Sequence, residues 1–310
     1  MKTIFEFKTL TEFTDYFCDE ATCVAHFTES RWRNGQYCPH CKHDKIYLCA
    51  NGKRYHCAKC KQDFTIRTKT VFGESKLPIR KWYMAIYLLA TTSKGISSVQ
   101  LAKHVGVTQK TGWFIDHRVR SAMKQNKGNL FGTVEVDETY VGGLEKNKRA
   151  SKRTAGTRGR SVKTKTPVVG MIQRGGEIRA QVVERVNMAT VENNITANVA
   201  KGTQIMSDDF LSYARIGKMF PHKSVSHARG EYVKGTCHTN SIESFWALFK
   251  RGYHGVYHQM SRKHMQKYVD EFCFRFNRRA GEMQSVFADV LNRVTDSPTL
   301  HYKTLIEKTV

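Results

Sequence analysis

The chain has 310 residues, a length for two or three domains, and its 40% hydrophobic and 11% aromatic residues suffice to build real cores. Lys and Arg number 51 against 27 Asp and Glu, a formal net charge of +24 that calls for a polyanionic partner. No apolar run approaches the ~18 residues of a spanning helix, and the start MKTIFEFKTLTEF lacks the apolar region of a secretory signal, so no membrane partner is expected and nucleic acid is left.

Residues 1–30 read as an N-terminal helical segment, with Leu10, Phe13, Tyr16, Phe17 and Val24 as its apolar positions. Cysteine use then dominates. Of nine cysteines, seven (Cys18, Cys23, Cys38, Cys41, Cys49, Cys57 and Cys60) lie early, and only Cys237 and Cys273 come later. In a chain with no export pattern this favours metal over disulfides. Cys38-Pro-His-Cys41 and Cys57-Ala-Lys-Cys60 are two CxxC pairs separated by fifteen residues. Each such turn aims two thiolates at one point, and a hairpin between them completes a tetrahedral sulfur site. Residues 31–75 are therefore expected to form a zinc ribbon holding structural Zn2+, with no open position for chemistry. His40 and His56 are read as neighbours of the ligands, Cys49 as a free thiol, and Cys18 and Cys23 as packing residues.

Residues 76–125 read as helical, opened by Pro78, with Ile79, Trp82, Tyr83, Ile86 and Leu89 at helical spacing. A helix carrying Leu101 and Ala102, a turn at Gly106 and a second helix capped by Thr108 match a helix-turn-helix, with Ala102 where the helices cross. Its candidate reading residues are Gln109, Lys110 and Trp113.

From residue 130 to 280 strand-like runs appear at 132–137, 167–173, 178–186 and 203–207, with helical stretches at 189–200, 210–218, 240–251 and 262–279. This is an α/β pattern. Between the first two strands, Lys146–Lys165 holds nine Lys or Arg and no acid, and reads as a basic mobile loop. Residues 281–310 read as a C-terminal tail.

Three acids stand out by their placement. Asp137 ends the first run, in Val-Glu135-Val-Asp137-Glu-Thr-Tyr140, where Glu135 and Asp137 share one face. Asp208 ends the run Gln-Ile-Met-Ser-Asp208, and Glu243 lies in a helix whose apolar face is Ile242, Phe245, Trp246 and Phe249. Carboxylates at two strand ends and on one helix suit a pair of divalent metals for phosphodiester displacement. Magnesium or manganese fits such hard oxygen ligands. By themselves, strand-end aspartates are equally often helix caps.

The segments VEVDETYVGG at 134–143, KTPVVGMIQRGGEIRA at 165–180, SDDFLSY at 207–213 and HTNSIESFWALFKRGYHGVYH at 238–258 together resemble bacterial insertion-sequence DDE transposases with an N-terminal zinc ribbon, the Merlin-related group. The resemblance covers roughly residues 10 to 280. It implies a ribonuclease-H-like mixed sheet with flanking helices, and Asp137 and Asp208 as the first two metal ligands. Asp208 is selected over Asp209 because the family's second aspartate precedes a tyrosine by five residues. Glu243 stands seven residues before Lys250, the DDE spacing, so Lys250 is placed to hold a DNA phosphate; Asn240 stands as an alternative or additional third ligand. The implied activity is binding of the element's terminal inverted repeats, strand cleavage by water and strand transfer by a 3′-hydroxyl. A homo-oligomer on double-stranded DNA in a prokaryotic cytoplasm, associated with the nucleoid, is the expected setting.

Arg251, His254, His258, Arg262, Lys263, Arg275, Arg278 and Arg279 add polar and basic groups for phosphate contacts. Met265, Tyr268, Val269, Phe272 and Phe276 form a helical stripe read as core, Trp246 is read as core too, and Gly142-Gly143 as a turn. The competing reading is a zinc-ribbon and helix-turn-helix regulator with an inactive nuclease-like domain, against which stand all three acids and Lys250. A nuclease that cuts without joining would need the same metals.

Overall fold

A computed structural model describes residues 7–307 apart from Lys127, Leu144, Arg158, Ala214, His227, Ala228 and Tyr232. The chain divides into two compact units, residues 1–123 with 280–310, and residues 124–279. Among the described residues no helix is long and apolar enough to cross a membrane.

The first unit opens with two helices where the sequence suggested one. Helix α1 (Leu10–Tyr16) starts at a reciprocal Thr9–Glu12 cap, and Asp19 caps α2 (Glu20–Arg31) through the Thr22 N–H. A three-stranded antiparallel sheet follows, β1 (Ile46–Leu48), β2 (Tyr55–Cys57) and β3 (Asp63–Phe64). Pro78 immediately precedes α3 (Ile79–Thr91) and offers no side-chain cap. The Glu20 carboxylate takes over that duty, accepting the Ile79 and Arg80 N–H groups at 2.7 and 2.9 Å. Helices α4 (Ser98–Val105) and α5 (Gln109–Ala122) meet at Gly106, whose φ of +67° is the left-handed cap that favours glycine. Thr108 caps α5 through the Thr111 N–H. The two helices cross where Gly112 faces Ala102; a Cβ on Gly112 would lie 2.7 Å from the Ser98 carbonyl.

The second unit is built on a five-stranded sheet in the order β6-β5-β4-β7-β8. Its strands are β4 (Thr133–Val141), β5 (Thr166–Gln173), β6 (Ile178–Val182), β7 (Gln204–Asp208) and β8 (His222–Val225). The β4–β5 and β5–β6 pairs are antiparallel, and β4–β7 and β7–β8 are parallel. This is the ribonuclease-H-like mixed sheet. One face packs Val134, Val136, Val169 and Ile205 against Val191 and Ile195 of α6 (Met188–Asn198). The other packs Val168, Ile172 and Ala180 against α7 (Asn240–Gly252) and α8 (Met265–Asn277). β5 is buried nearly throughout, as a strand covered on both faces must be.

Several boundaries differ from the sequence reading. β4 continues past Asp137 to Val141, because Thr139, Tyr140 and Val141 favour extended backbone and pair with β5 out to Thr166. Asp137 is thus mid-strand rather than at a strand end. The 210–218 stretch is two 3-10 turns, Leu211–Tyr213 and Ile216–Lys218. The sixth strand stops at Val182, not 186, and β8 was not anticipated. The basic segment after β4 carries two 3-10 turns, at Glu145–Asn147 and Ala150–Lys152. Glu145, one residue ahead of it, gathers Lys148 at 2.5 Å and the Thr154 N–H at 2.8 Å. Arg158 of this segment lies outside the described residues.

The residues read as a C-terminal tail form α9 (Met283–Asp296) and α10 (Tyr302–Ile306) and belong to the first unit. Phe287 of α9 packs its ring on Phe13, Phe17 and Tyr83, and Arg33 pairs with Asp296 at 2.5 Å. The apolar positions Val286, Phe287, Val290, Leu291 and Val294 make one buried stripe.

Candidate active site and zinc ribbon

Two knuckles of the same backbone design carry the ribbon cysteines. In the first, the Cys38 N–H donates to the His43 carbonyl and the Lys42 N–H to the Cys38 carbonyl; in the second, Cys57 and Lys61 repeat this with Gln62 and Cys57. Lys42 and Lys61 both sit at positive φ, +63° and +58°, which turns the chain tightly enough to aim both thiols of a pair inward. Cys38 Sγ lies 3.7 Å from Cys60 Sγ and Cys41 Sγ 3.5 Å from Cys57 Sγ, and all four sulfurs lie within 4.8 Å of one another. That spacing matches the edges of a tetrahedron around one zinc ion. His56 is no ligand: its Nδ1 pairs with Asp63 at 2.8 Å. His40 contributes its backbone N–H to Cys38 Sγ at 3.4 Å. Cys23 is buried, Cys18 exposed, and Cys49 is outside the cluster. The Trp32 ring meets Tyr55 edge-on, and Tyr55 stacks on Phe64 across the small sheet.

The acidic constellation is set by the sheet. β4 and β7 run parallel with Thr133 opposite Gln204 and Glu135 opposite Met206, so continuing that register puts Asp208 beside Asp137 on the same face. Glu243 approaches from the first turn of α7, with its carboxylate accepting the Thr239 hydroxyl at 2.7 Å. The Asp137 carboxyl is pushed up to about 7, first by burial and then by the negative charges of Glu138, Asp208 and Glu243. Three acids therefore repel a fourth group that burial has already made costly to ionise. A divalent cation relieves that repulsion, and an all-oxygen donor set suits magnesium or manganese. Among the described residues, the cysteines are the only group of potential ligands drawn within 4.8 Å of one another; the acids stand further apart.

Asp209 points elsewhere, accepting the Ser226 hydroxyl at 2.5 Å. Asn240 and Lys250 are exposed at opposite ends of α7, with Arg251 exposed beside Lys250. Trp246 is buried over Gly170, the residue paired with Asp137; a Cβ there would lie 2.5 Å from the indole. Arg275 is not a surface cation: it is buried in an ion pair with Glu271, and Arg278 and Arg279 lie over Phe274 and Phe276. On α5, Gln109 and Lys110 are exposed, but Gln109 donates to Ser98, and Lys110 and Trp113 meet the Tyr302 ring.

Sequence reasoning gave no role to Glu135, Glu138 or Arg160. Glu135 is wholly buried and bonded to Arg174, Ser241 and Ile242. Glu138 accepts the buried Tyr213 hydroxyl at 2.8 Å, and burial pushes its carboxyl up. Arg160 of the basic segment reaches Glu138 at 3.5 Å and lies over Phe210. The Glu135–Asp137 alternation hinted at a shared face; nothing local revealed the partners.

Residues 129–277 match the ISXO2-like transposase domain, and residues 18–63 the transposase zinc-ribbon domain. A protein of transposable element ISH50 from Halobacterium salinarum, itself uncharacterised, is 30% identical over 274 residues, covering 84% of this chain and 91% of its own. Among solved structures, the Mos1 strand transfer complex aligns at 14% identity over 69% of this chain and 75% of that one, with a TM-score of 0.28. A pre-cleavage Mos1 transpososome aligns at 12% identity over 68% and 75%, with the same score.

Proposed function

The chain belongs to the insertion-sequence transposases that join an ISXO2-like catalytic domain to a transposase zinc ribbon, DDE enzymes that use divalent metal to break and rejoin DNA, and for this member we propose that Asp137, Asp208 and Glu243 form the metal-binding triad. The observation that carries the assignment is the parallel β4–β7 register, which sets Asp208 beside the half-buried Asp137, with Glu243 on the first turn of α7. Magnesium is the proposed ion, with manganese as its substitute. When bound, the metals supply activation of the attacking water or 3′-hydroxyl and stabilisation of the departing oxygen.

The protein's own residues do the rest. Asp137 and Asp208 face the scissile phosphate from neighbouring strands, and Glu243 closes the site from α7. Asn240, one turn earlier on α7, shares that side and is the alternative third ligand. Lys250, two helical turns beyond Glu243 on the same face, grips a phosphate oxygen, with Arg251 next to it. The excess of 24 positive charges binds the duplex, the basic segment 146–165 contributes to it, and α5 with the ribbon reads the terminal repeats. Holding two element ends together calls for more than one copy on the DNA.

The test is cleavage and joining of a labelled terminal-repeat substrate in magnesium. Asp208→Asn should abolish both steps with end binding intact. Glu243→Gln and Asn240→Ala run beside it, and the one that is lost identifies the third ligand. Full activity of Asp208→Asn refutes the triad. An inactive wild type that binds the ends tightly supports the regulator reading instead.

A further inference from the structure

Resting on the assignment of α7 as the carrier of the third metal ligand, we propose that Glu135 and Arg174 are positioning residues that cap α7 from the sheet and so set where Glu243 and Asn240 stand relative to Asp137. Helix α7 has no cap of its own. Its N-cap residue, Thr239, makes no side-chain bond to the helix backbone; its hydroxyl donates to Glu243. The orphan amides of the first turn go to Glu135 instead: Oε2 accepts the Ser241 and Ile242 N–H groups at 2.8 and 3.1 Å. Oε1 accepts the Ser241 hydroxyl at 3.1 Å and Arg174 Nε at 2.8 Å.

Arg174 sits in the turn between β5 and β6 and works as a three-way fork. Besides Glu135 it donates to the Thr236 carbonyl at 2.8 Å and the His238 carbonyl at 3.0 Å, which fixes the segment entering α7. Its own N–H donates to the Thr133 carbonyl at 3.0 Å, tying the fork to the start of β4. A wholly buried carboxylate is costly unless fully bonded, and Glu135 takes its donors from the helix it holds and from Arg174. Glu135 lies on the same strand face as Asp137, two residues away. The strand that carries the first metal ligand is thus the strand that caps the helix carrying the third. One turn further along α7, Trp246 rests on Gly170 opposite Asp137, a second point at which the helix is seated against the sheet.

The experiment uses the full-length zinc-bound protein with Glu135→Gln, which turns one acceptor into a donor facing the amides, and Arg174→Lys, which keeps the charge and loses the fork. Mn2+ binding by calorimetry, amide exchange over residues 239–243, end binding and cleavage rate are read together. The expected result is Mn2+ affinity and cleavage rate each lower by roughly 10-fold or more, faster exchange confined to the start of α7, and end affinity within about 2-fold of wild type. Wild-type Mn2+ affinity and exchange in both variants overturn the proposal. So does a loss of protection spread through residues 124–279, which marks a general structural role. If Glu135→Gln does not fold, Arg174→Lys decides by the same readouts. Asp137→Asn is run alongside: if it keeps Mn2+ affinity, the metal-site reading itself fails, whereas its loss beside an unaffected Glu135→Gln removes only the positioning role.

Discussion

Replacing Asp137 by asparagine should make the protein without divalent metal more stable while destroying its catalysis. The ordinary aspartate value is 3.8, and in the folded chain the Asp137 carboxyl is pushed up to about 7. A carboxyl raised in the folded state stabilises fully below its unfolded value and progressively loses that contribution as pH rises through the folded one. The loss therefore accumulates between about pH 4 and pH 7. At about 1.4 kcal/mol per pH unit the displacement amounts to at most about 4 kcal/mol, and partial solvent access lowers it to about 2–4 kcal/mol. Asparagine keeps the shape and removes the charge, so the gain should grow from about pH 4 to pH 7 and level off above it. For a domain of this size that is roughly 5–15 °C in Tm at pH 8. Calorimetric scans in metal-stripped buffer without chelator keep the ribbon zinc in place and report the unit spanning residues 124–279. Equal stability of variant and wild type at pH 8, or parallel pH dependence, refutes the claim that the repelling acids strain this site.

Cys38→Ser or Cys60→Ser should release zinc and weaken end binding while the 124–279 unit stays folded; unchanged zinc content in both variants refutes the ribbon assignment. Gly170→Ala forces a methyl against Trp246, at an expected cost of about 1–3 kcal/mol and a lower cleavage rate, measured by denaturation and the end-cleavage assay. Neutralising the basic residues of 146–165 should flatten the dependence of log affinity on log salt, and an unchanged slope removes the segment from the DNA surface.

What the sequence discloses is local. The ribbon was legible because both CxxC pairs carry their geometry within a few residues, down to the lysine that follows each pair. The three acids proposed as the triad could be picked out because each sits in a recognisable segment. Glu135 was not, since its partners stand at positions 174, 241 and 242 and only the folded sheet brings them together. β8 was missed because His222-Lys-Ser-Val225 is short and mostly not buried, an edge strand with little hydrophobic alternation. Helix α9 does carry its stripe in the sequence, at Val286, Phe287, Val290, Leu291 and Val294, although the C-terminal residues read as a tail. Arg275 read as a surface cation because its pairing with Glu271, a helical turn earlier, shows only once the helix is packed.

The central claim is that Asp137 and Asp208, with a third ligand from α7, hold divalent metal. Anomalous scattering from crystals soaked in Mn2+ tests it at the atoms. Peaks within bonding distance of both the Asp137 and Asp208 carboxylates, with Glu243 or Asn240 completing the shell, are expected. Mn2+ bound elsewhere on the protein, with these carboxylates left unliganded at saturating metal, contradicts the account.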